Sequence, residues 1–266
     1  MERSTTLLTT AIATLLASAA AQAQDVVRAD LGEGANPEAT SCAYNFTASN
    51  IKWCLTTNGN LVSLKSPGTV EHIRVGAAPG YAVEGYILCV NGGLKAYDNA
   101  IYSAGFGPPT VIAAQTATGI TIRRKTLDGT FQLDQKWSRD NNERDLTLHM
   151  TLKNLGAAAN VELGRVVDFN VDYSLDGVFA DRFDRSRNTL WFRDPVNGRD
   201  GVTLKLLTQN PNYLAVVAVY SPTPQCNYPQ LAFPGGPTDV MGYARYVFGT
   251  MSSGAQKVVQ LGYRVE

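Results

Sequence analysis

The feature that most constrains the fold of this chain is a repeated alternation of apolar and polar residues. The alternation runs from Leu146 to Lys153, and it recurs from Val161 to Val171 and from Val259 to Val265. A period of two directs successive side chains to opposite faces of an extended strand. The pattern therefore predicts β-strands that bury one face and leave the other polar.

Turn sequences between the strand-like runs indicate how those strands are joined. Asn58-Gly59 and Leu127-Asp128-Gly129 each separate two such runs, and Gly-containing turns of this kind are typical of β-hairpins. Helix is expected for about one turn at most, within Leu94–Tyr102. Strands that recur about every ten residues favour an all-β protein, an antiparallel β-sandwich with two large sheets or a supersandwich-like arrangement.

The start of the chain has the layout of a secretory signal peptide. Arg3 precedes an apolar run, and Ala21-Gln22-Ala23 provides a small-x-small cleavage site. We expect residues 1–23 to be removed, residues 24–40 to form a lead-in, and residues 41–266 to form a single large sandwich domain. The alternative is two smaller sandwiches that divide near 105–110, where Gly and Pro cluster. The expected location is secreted or periplasmic, and no later apolar run is long enough to span a membrane.

The four cysteines are expected to form disulfides, because exported proteins fold in an oxidising environment. Cys42, Cys54, Cys89 and Cys226 allow three pairings, and the sequence does not choose among them. A Cys42–Cys54 bond would close a short local loop, and a Cys89–Cys226 bond would then join distant segments. A local loop of that size would stabilise the fold by roughly 3 kcal/mol.

Two stretches resemble large bacterial extracellular sandwiches such as the mutarotase-like supersandwich. They are LTLHMTLKNLG, which begins at Leu146, and the closing YVFGTMSSGAQKVVQLGYRVE, which begins at Tyr246. The resemblance implies the sandwich fold and permits an activity on carbohydrates. It assigns no catalytic residue.

Composition excludes several classes of function. Lys and Arg number 23 and so do Asp and Glu, so the chain has no excess positive charge with which to neutralise nucleic-acid phosphates. The sequence also lacks the G-x-S-x-G, H-E-x-x-H, P-loop and G-x-G-x-x-G motifs. We therefore expect no nucleic-acid partner and no organic cofactor.

Candidate functional side chains are few. His149 lies on the polar face of its predicted strand and could act as a general base if a carboxylate lay beside it. Asp168 and Asp172 could act as catalytic carboxylates, although glycosidases need one acid on each side of the scissile bond. Asp168, Asn170, Asp172 and Asp176 could instead bind calcium, provided that the chain turns to bring their oxygens together. A third interpretation is a solvated strand face whose Asp and Arg residues pair with one another.

Three hypotheses for function remain open. The sequence favours a secreted, non-catalytic sandwich module that binds a glycan or another component of the cell envelope. The alternatives are an extracellular carbohydrate-active enzyme that uses carboxylates or His149, and a structural or adhesive subunit. The third would assemble through an exposed strand edge, such as the final strand from Val258 to Val265.

Overall fold

The computed structural model describes residues 34–35, 41–65, 71–74, 84–99, 102–139, 145–167, 179–184, 189–193, 202–207, 212–218, 225–226 and 240–265. These residues form β-strands and connecting turns without a helix, so the all-β prediction is confirmed. The strands, in chain order, are β1 (Gly34–Ala35), β2 (Tyr44–Thr47), β3 (Lys52–Leu55), β4 (Leu61–Lys65), β5 (Glu71–Arg74), β6 (Glu84–Val90), β7 (Gly93–Asp98), β8 (Tyr102–Ala104), β9 (Thr110–Ala113), β10 (Gly119–Lys125), β11 (Phe131–Arg139), β12 (Asp145–Asn154), β13 (Ala159–Val167), β14 (Phe179–Asp184), β15 (Thr189–Arg193), β16 (Val202–Leu206), β17 (Asn212–Ala218), β18 (Val240–Met251) and β19 (Gln256–Val265). Across the described part of the chain, no helix is long and apolar enough to cross a membrane.

The strands form three antiparallel sheets. The seven-stranded sheet has the order β1-β8-β7-β6-β13-β18-β17, and the eight-stranded sheet has the order β14-β15-β16-β19-β12-β11-β10-β9. A four-stranded sheet contains β2-β3-β4-β5. Because β6 pairs with β13, the seven-stranded sheet takes strands from both sides of residues 105–110. The division of the chain into domains stays a prediction.

The alternating segments bury one face, as the sequence pattern predicts. Along β12 the burial alternates at every residue, and Leu146, Leu148, Met150 and Leu152 are fully buried. β19 contributes Val259, Leu261 and Tyr263 to the same core, and β13 contributes Val161 and Leu163 from the opposite sheet. Burying a side chain of this size contributes roughly 1.5–3 kcal/mol. The two large sheets are therefore held face to face by one continuous apolar layer.

Aromatic side chains join the four-stranded sheet to this core. Phe46 stacks on Trp53 with ring centroids 3.7 Å apart, and Trp53 lies 6.2 Å from Trp137 of β11. Trp137 in turn stacks on Tyr263 of β19 at 5.6 Å. The N-terminal hairpins thus belong to the main core.

Both disulfides form within the fold. Cys42 is bonded to Cys54, and Cys89 is bonded to Cys226, each with a Cα–Cα distance of 5.7 Å. Of the three possible pairings, the structure thus has one local bond and one that links residues 137 positions apart. Two disulfides fit the oxidising environment that the signal-like N-terminus suggests, although residues 1–33 lie outside the described part of the chain.

Two sequence-based expectations are wrong. The described residues of Leu94–Tyr102 contain no helical turn, because Gly93–Asp98 forms β7 and Tyr102 begins β8. The final strand β19 is not an exposed edge, since it pairs with β12 on one side and with β16 on the other. Any assembly through a strand edge must therefore use a different strand.

Candidate functional site

The interior between the sheets contains a buried ion pair between Arg165 and Glu84. The Arg165 Nε and the Glu84 Oε1 are 2.5 Å apart, and both side chains have no exposed surface. Tyr263 donates to the same carboxylate at 3.0 Å, and the backbone N–H of Leu61 donates to its other oxygen at 2.6 Å. Burial raises the pKa of Glu84, and the neighbouring guanidinium opposes that rise. The carboxylate therefore joins one strand from each of the three sheets.

A second buried ion pair lies beside the first. The Arg124 Nη1 is 2.9 Å from the Asp98 Oδ2 and 3.1 Å from the hydroxyl oxygen of Tyr86. Ser103 donates to the Asp98 carboxylate at 2.6 Å, and the Nε of Arg124 donates to the carbonyl of Gly107 at 2.7 Å. Burial raises the pKa of Asp98, and the positive charge of Arg124 opposes that rise. This pair ties the seven-stranded sheet to the eight-stranded sheet.

The turn at Asn58-Gly59 occupies the space between the two ion pairs. Its Gly59 carbonyl accepts hydrogen bonds from Trp137 Nε1 at 3.1 Å and from Arg165 Nη2 at 3.2 Å. Asn58 donates to Asp98 at 3.1 Å through its side-chain amide. Gly59 has a φ of +88°, and a Cβ there would lie 2.8 Å from the Gln135 Nε2. Glycine is therefore needed both for the backbone conformation and for the close contact.

The charged groups of this interior network are paired within the protein itself. Each of its four charged side chains is at most 3% exposed and is hydrogen-bonded to protein atoms. Buried charges of this kind persist only when they are paired and hydrogen-bonded. The network positions the three sheets, and its buried charged groups are not presented to a ligand at the surface.

His149 lies on the outer face of the eight-stranded sheet, as its place in the alternating pattern predicts. Its cross-strand neighbours are Lys136 on β11 and Gln260 on β19, and its Nδ1 is 3.0 Å from the Gln260 Nε2. Partial burial lowers the pKa of His149, and the positive charge of Lys136 lowers it further. Neither neighbour is a carboxylate. The catalytic role of His149 stays a prediction.

The outer face of the seven-stranded sheet has a different character, because its centre is buried as well. Ile87, Tyr97, Val166 and Tyr243 are each at most 2% exposed and lie outside the main core cluster. Residues that follow one another along a strand point to opposite faces of the sheet. Leu88, Leu163 and Ala244 belong to the main core, so their neighbours along the strands lie on the outer face. Cys89 lies on the same outer face and holds Cys226 over it. This sheet is therefore covered on both sides.

A partly exposed cluster of polar side chains lies on this covered face. We call it the Glu162 cluster, and it consists of Glu162, Gly164, Tyr243 and Arg245. The Glu162 carboxylate forms an ion pair with Arg245 and accepts a hydrogen bond from the Tyr243 hydroxyl at 3.2 Å. The two charged side chains remain 12% and 21% exposed. They are thus held in a fixed geometry and still reach solvent.

The local sequence explains how the Glu162 cluster is built. A Cβ on Gly164 would lie 2.5 Å from the Tyr243 ring, so only glycine leaves room for that ring to cross β13. Tyr243 lies opposite Val166 in the strand register, and its ring extends diagonally across β13 so that its hydroxyl reaches Glu162. The carboxylate therefore receives one hydroxyl donor and one guanidinium donor from the same neighbouring strand, β18.

The acidic residues singled out in the sequence begin one residue after β13 ends at Val167. Asp168, Asn170, Asp172 and Asp176 lie outside the described residues, so their calcium-binding and catalytic roles stay predictions. Within the described ranges, no group of three or more His, Cys, Asp and Glu side chains could hold a metal ion.

The alternation from Val161 to Val171 implies that Glu162 lies on the polar face of its strand, but it does not identify the partner of Glu162. Arg245 is 83 positions away along the chain, on a strand that does not alternate in polarity. A weak signal did exist, because Glu162 and Gly164 alternate with the apolar residues Val161 and Leu163 of β13. The ion pair itself follows only from the register between β13 and β18.

Chemically, the Glu162 cluster presents an acceptor and a donor side by side. A carboxylate accepts up to four hydrogen bonds, and a guanidinium donates up to five in a planar fork. Vicinal hydroxyl groups need both kinds of partner, since each can donate and accept. The arrangement is suited to a polyhydroxylated ligand.

Comparisons with known proteins identify the fold. No family model matches this chain, and no curated protein matches it in sequence. A protein from Escherichia coli K12 that is provisionally assigned as an aldose 1-epimerase matches at a TM-score of 0.52 and 10% identity, over 88% of this chain and 99% of that one. A bacterial glucoamylase in complex with acarbose matches at 0.51 and 9% identity, and heparan sulfate lyase HepC from Pedobacter heparinus matches at 0.50 and 7% identity.

The extent of these matches differs. This chain is covered over 88% by the glucoamylase match and over 87% by the lyase match, but it spans only 34% and 36% of those two proteins. It corresponds to nearly the whole length of the Escherichia coli protein. At these identities the likeness shows the fold alone, which is the galactose mutarotase-like β-sandwich.

Proposed function

We propose that this protein is an exported, non-catalytic carbohydrate-binding module whose glycan contacts the Glu162 cluster. The observation that carries the proposal is the partly exposed Glu162–Arg245 ion pair on the outer face of the seven-stranded sheet. A fixed carboxylate and guanidinium pair can bind two neighbouring hydroxyl groups without reorganising, which lowers the entropic cost of binding. Export is inferred from the signal-like N-terminus and the two disulfides.

The comparisons add support of a general kind. The three neighbours named above are an aldose 1-epimerase-like protein, a glucoamylase and a heparan sulfate lyase. Proteins that share a fold need not share a function. The common element among the three is nonetheless carbohydrate chemistry, and it agrees with the hydroxyl-binding geometry of the Glu162 cluster.

Binding can be tested by isothermal titration of the full chain against a panel of soluble polysaccharide fragments. A fragment that binds the intact protein should bind Glu162→Gln at least tenfold more weakly, because the ion pair that orients Arg245 is lost. Asp145→Asn is the matched control, since Asp145 forms an equivalent ion pair with Arg264 across β12 and β19. Equal affinity for wild type and Glu162→Gln would contradict the proposed site.

The second candidate function is a carbohydrate-active enzyme. It is favoured by the near-complete correspondence with the aldose 1-epimerase-like protein from Escherichia coli. Glu162 would then supply a carboxylate, and His149 would not belong to the same site, since it lies on the outer face of the other large sheet. Interconversion of sugar anomers or release of reducing ends, followed by NMR and lost in Glu162→Gln, would establish the enzyme and overturn the non-catalytic proposal.

Calcium binding is a separate proposal for the segment that contains Asp168, Asn170, Asp172 and Asp176. Carboxylate and amide oxygens are the ligands that calcium prefers. A calcium concentration one hundred times the dissociation constant should raise the stability of the protein by about 2.7 kcal/mol. A thermal-shift scan with calcium, magnesium and a chelator measures this effect, and identical melting temperatures under all three conditions would contradict it.

A further inference from the structure

The edge of the eight-stranded sheet ends in a short strand with unusual exposure. β9 is the last strand of that sheet and pairs only with β10 among the described residues. All four of its residues are exposed, and Val111 and Ile112 each retain 42% of their surface. An edge strand leaves backbone N–H and C=O groups available on one side. β9 therefore offers both an apolar surface and unpaired main-chain groups.

The sequence around β9 lacks the charges that usually protect such an edge. No Lys, Arg, Asp or Glu occurs from Ser103 to Ile122. Charged side chains, and Lys above all, are a common means of preventing edge-to-edge pairing. Two other features limit pairing at this edge. Pro108 and Pro109 directly precede β9 and cannot donate backbone hydrogen bonds. The register between β9 and β10 also shifts, so that Ile112 is the extra residue of a β-bulge. These features shorten the pairing surface without repelling a partner.

The chemistry of the edge selects the kind of partner. A charged partner segment would find no opposite charge on β9, and its charged groups would lose hydration on contact with Val111 and Ile112. A second copy of the same strand is uncharged and carries matching β-branched residues. The whole chain has a formal net charge of zero, so two copies do not repel each other electrostatically.

We infer that this protein forms a homodimer in which β9 of one copy pairs antiparallel with β9 of a second copy. The two-fold axis passes through the edge, and each eight-stranded sheet continues into that of the partner. Antiparallel pairing about a two-fold axis is isologous, so the same residues serve both copies. Because the strand contains four residues, the contact is small and the dimer is weak.

The first test is sedimentation equilibrium of the full chain over a concentration range from about 1 µM to about 1 mM, where weak dimers dissociate. The weight-average mass should rise from that of one chain towards that of two. Ile112→Lys should raise the dissociation constant at least tenfold, because it places a charge within the paired edge. Leu127→Lys is the matched control, since Leu127 is 66% exposed at the turn between β10 and β11 and should leave the dimer unchanged. A mass that stays at one chain up to about 1 mM would overturn the inference, and so would equal weakening by both variants.

A second test does not depend on a variant that folds. In the wild-type protein, amide hydrogen exchange at those N–H groups of Thr110–Ala113 that point away from β10 should slow at least tenfold between the dilute and the concentrated sample, because dimerisation satisfies these outward N–H groups. Amides of Thr121 and Arg123 on β10 are already within the sheet and should not change. Protection of the outward N–H groups of β9 that is independent of concentration would mean that another segment of the same chain covers β9, and it too would overturn the inference.

Discussion

At the scale of single residues, the most demanding feature is the pair of ionised groups enclosed between the sheets. Arg165 and Glu84 have no exposed surface, so each depends on the other to offset the loss of hydration. Such a pair adds little net stability compared with apolar side chains of the same size. It specifies the structure instead, because only the correct register of three sheets satisfies every hydrogen bond.

Replacing one member of this ion pair should strongly destabilise the folded protein. Arg165→Met leaves the Glu84 carboxylate buried without its partner and should lower the free energy of unfolding by about 3–5 kcal/mol. The double variant Arg165→Met with Glu84→Leu should recover much of that loss. Arg264→Met, which breaks a solvent-exposed ion pair with Asp145, should cost no more than about 1 kcal/mol. Urea unfolding measures all three, and a cost for Arg165→Met as small as that for Arg264→Met would refute the argument.

The tip of the first hairpin gives a second prediction at this scale. Gly59→Ala must adopt a φ of +88° and must also displace the Gln135 amide, whereas Gly92→Ala at a φ of +79° meets no atom within 4 Å. Both variants lose about 1–2 kcal/mol through the backbone conformation. Gly59→Ala should be less stable than Gly92→Ala by a further margin that reports the close contact. Thermal denaturation compares the two, and equal melting temperatures would show that the interior accommodates the methyl group without cost.

His149 gives a pH-dependent prediction. Burial first, and the charge of Lys136 second, lower its pKa in the folded protein. The unfolded chain therefore binds more protons than the folded one near and below the ordinary histidine pKa, and stability must decrease as the pH falls through that range. His149→Gln should remove part of this decrease between about pH 7 and pH 5. Urea midpoints measured across this range would contradict the argument if the variant and the wild type lost stability in parallel.

At the scale of strands and turns, the sequence predicts the elements that bury one face. The alternation from Leu146 to Lys153 corresponds to β12, and Asn58-Gly59 is the turn between β3 and β4. β18 does not show this alternation, because its central residues Tyr243 and Ala244 are buried on opposite faces of the sheet. The pairing of β13 with β18, on which Glu162 and Arg245 depend, involves segments about 80 residues apart and follows from the packing of the whole molecule.

The two disulfides also act at this scale, and they should differ in effect. The bond between Cys42 and Cys54 spans 12 positions, and the bond between Cys89 and Cys226 spans 137. Chain-entropy arguments predict a loss of about 3 kcal/mol when the first is replaced by alanines and of about 5 kcal/mol for the second. Urea unfolding of the two double variants checks the order. A larger loss for the local bond would indicate that the disulfides act through native-state packing.

At the scale of the whole molecule, the two outer faces of the sandwich have separate properties. The outer face of the eight-stranded sheet is a solvated surface on which Arg123 forms an ion pair with Asp134 and His149 lies beside Gln260. The outer face of the seven-stranded sheet is buried at its centre and carries the Glu162 cluster at a partly exposed position. This difference makes the outer face of the seven-stranded sheet the better candidate for binding a ligand. Titration with a bound fragment should therefore perturb the NMR signals of Arg245 and Val247 more than those of His149 and Lys136.

Glu84 has a consequence for the order in which the chain can be assembled. Its carboxylate binds Leu61 from an early hairpin and Tyr263 from the last strand, which are separated by some 200 residues of synthesis. A chain that emerges from a ribosome or an export channel with its N-terminus first must keep this acid hydrated until β19 has appeared. Formation of the core is thus postponed until Tyr263 has been synthesised, and contacts so distant in sequence make the folding slow. A prematurely terminated copy lacks the strand that closes the structure, and it would expose its apolar interior to the proteases that degrade incomplete chains.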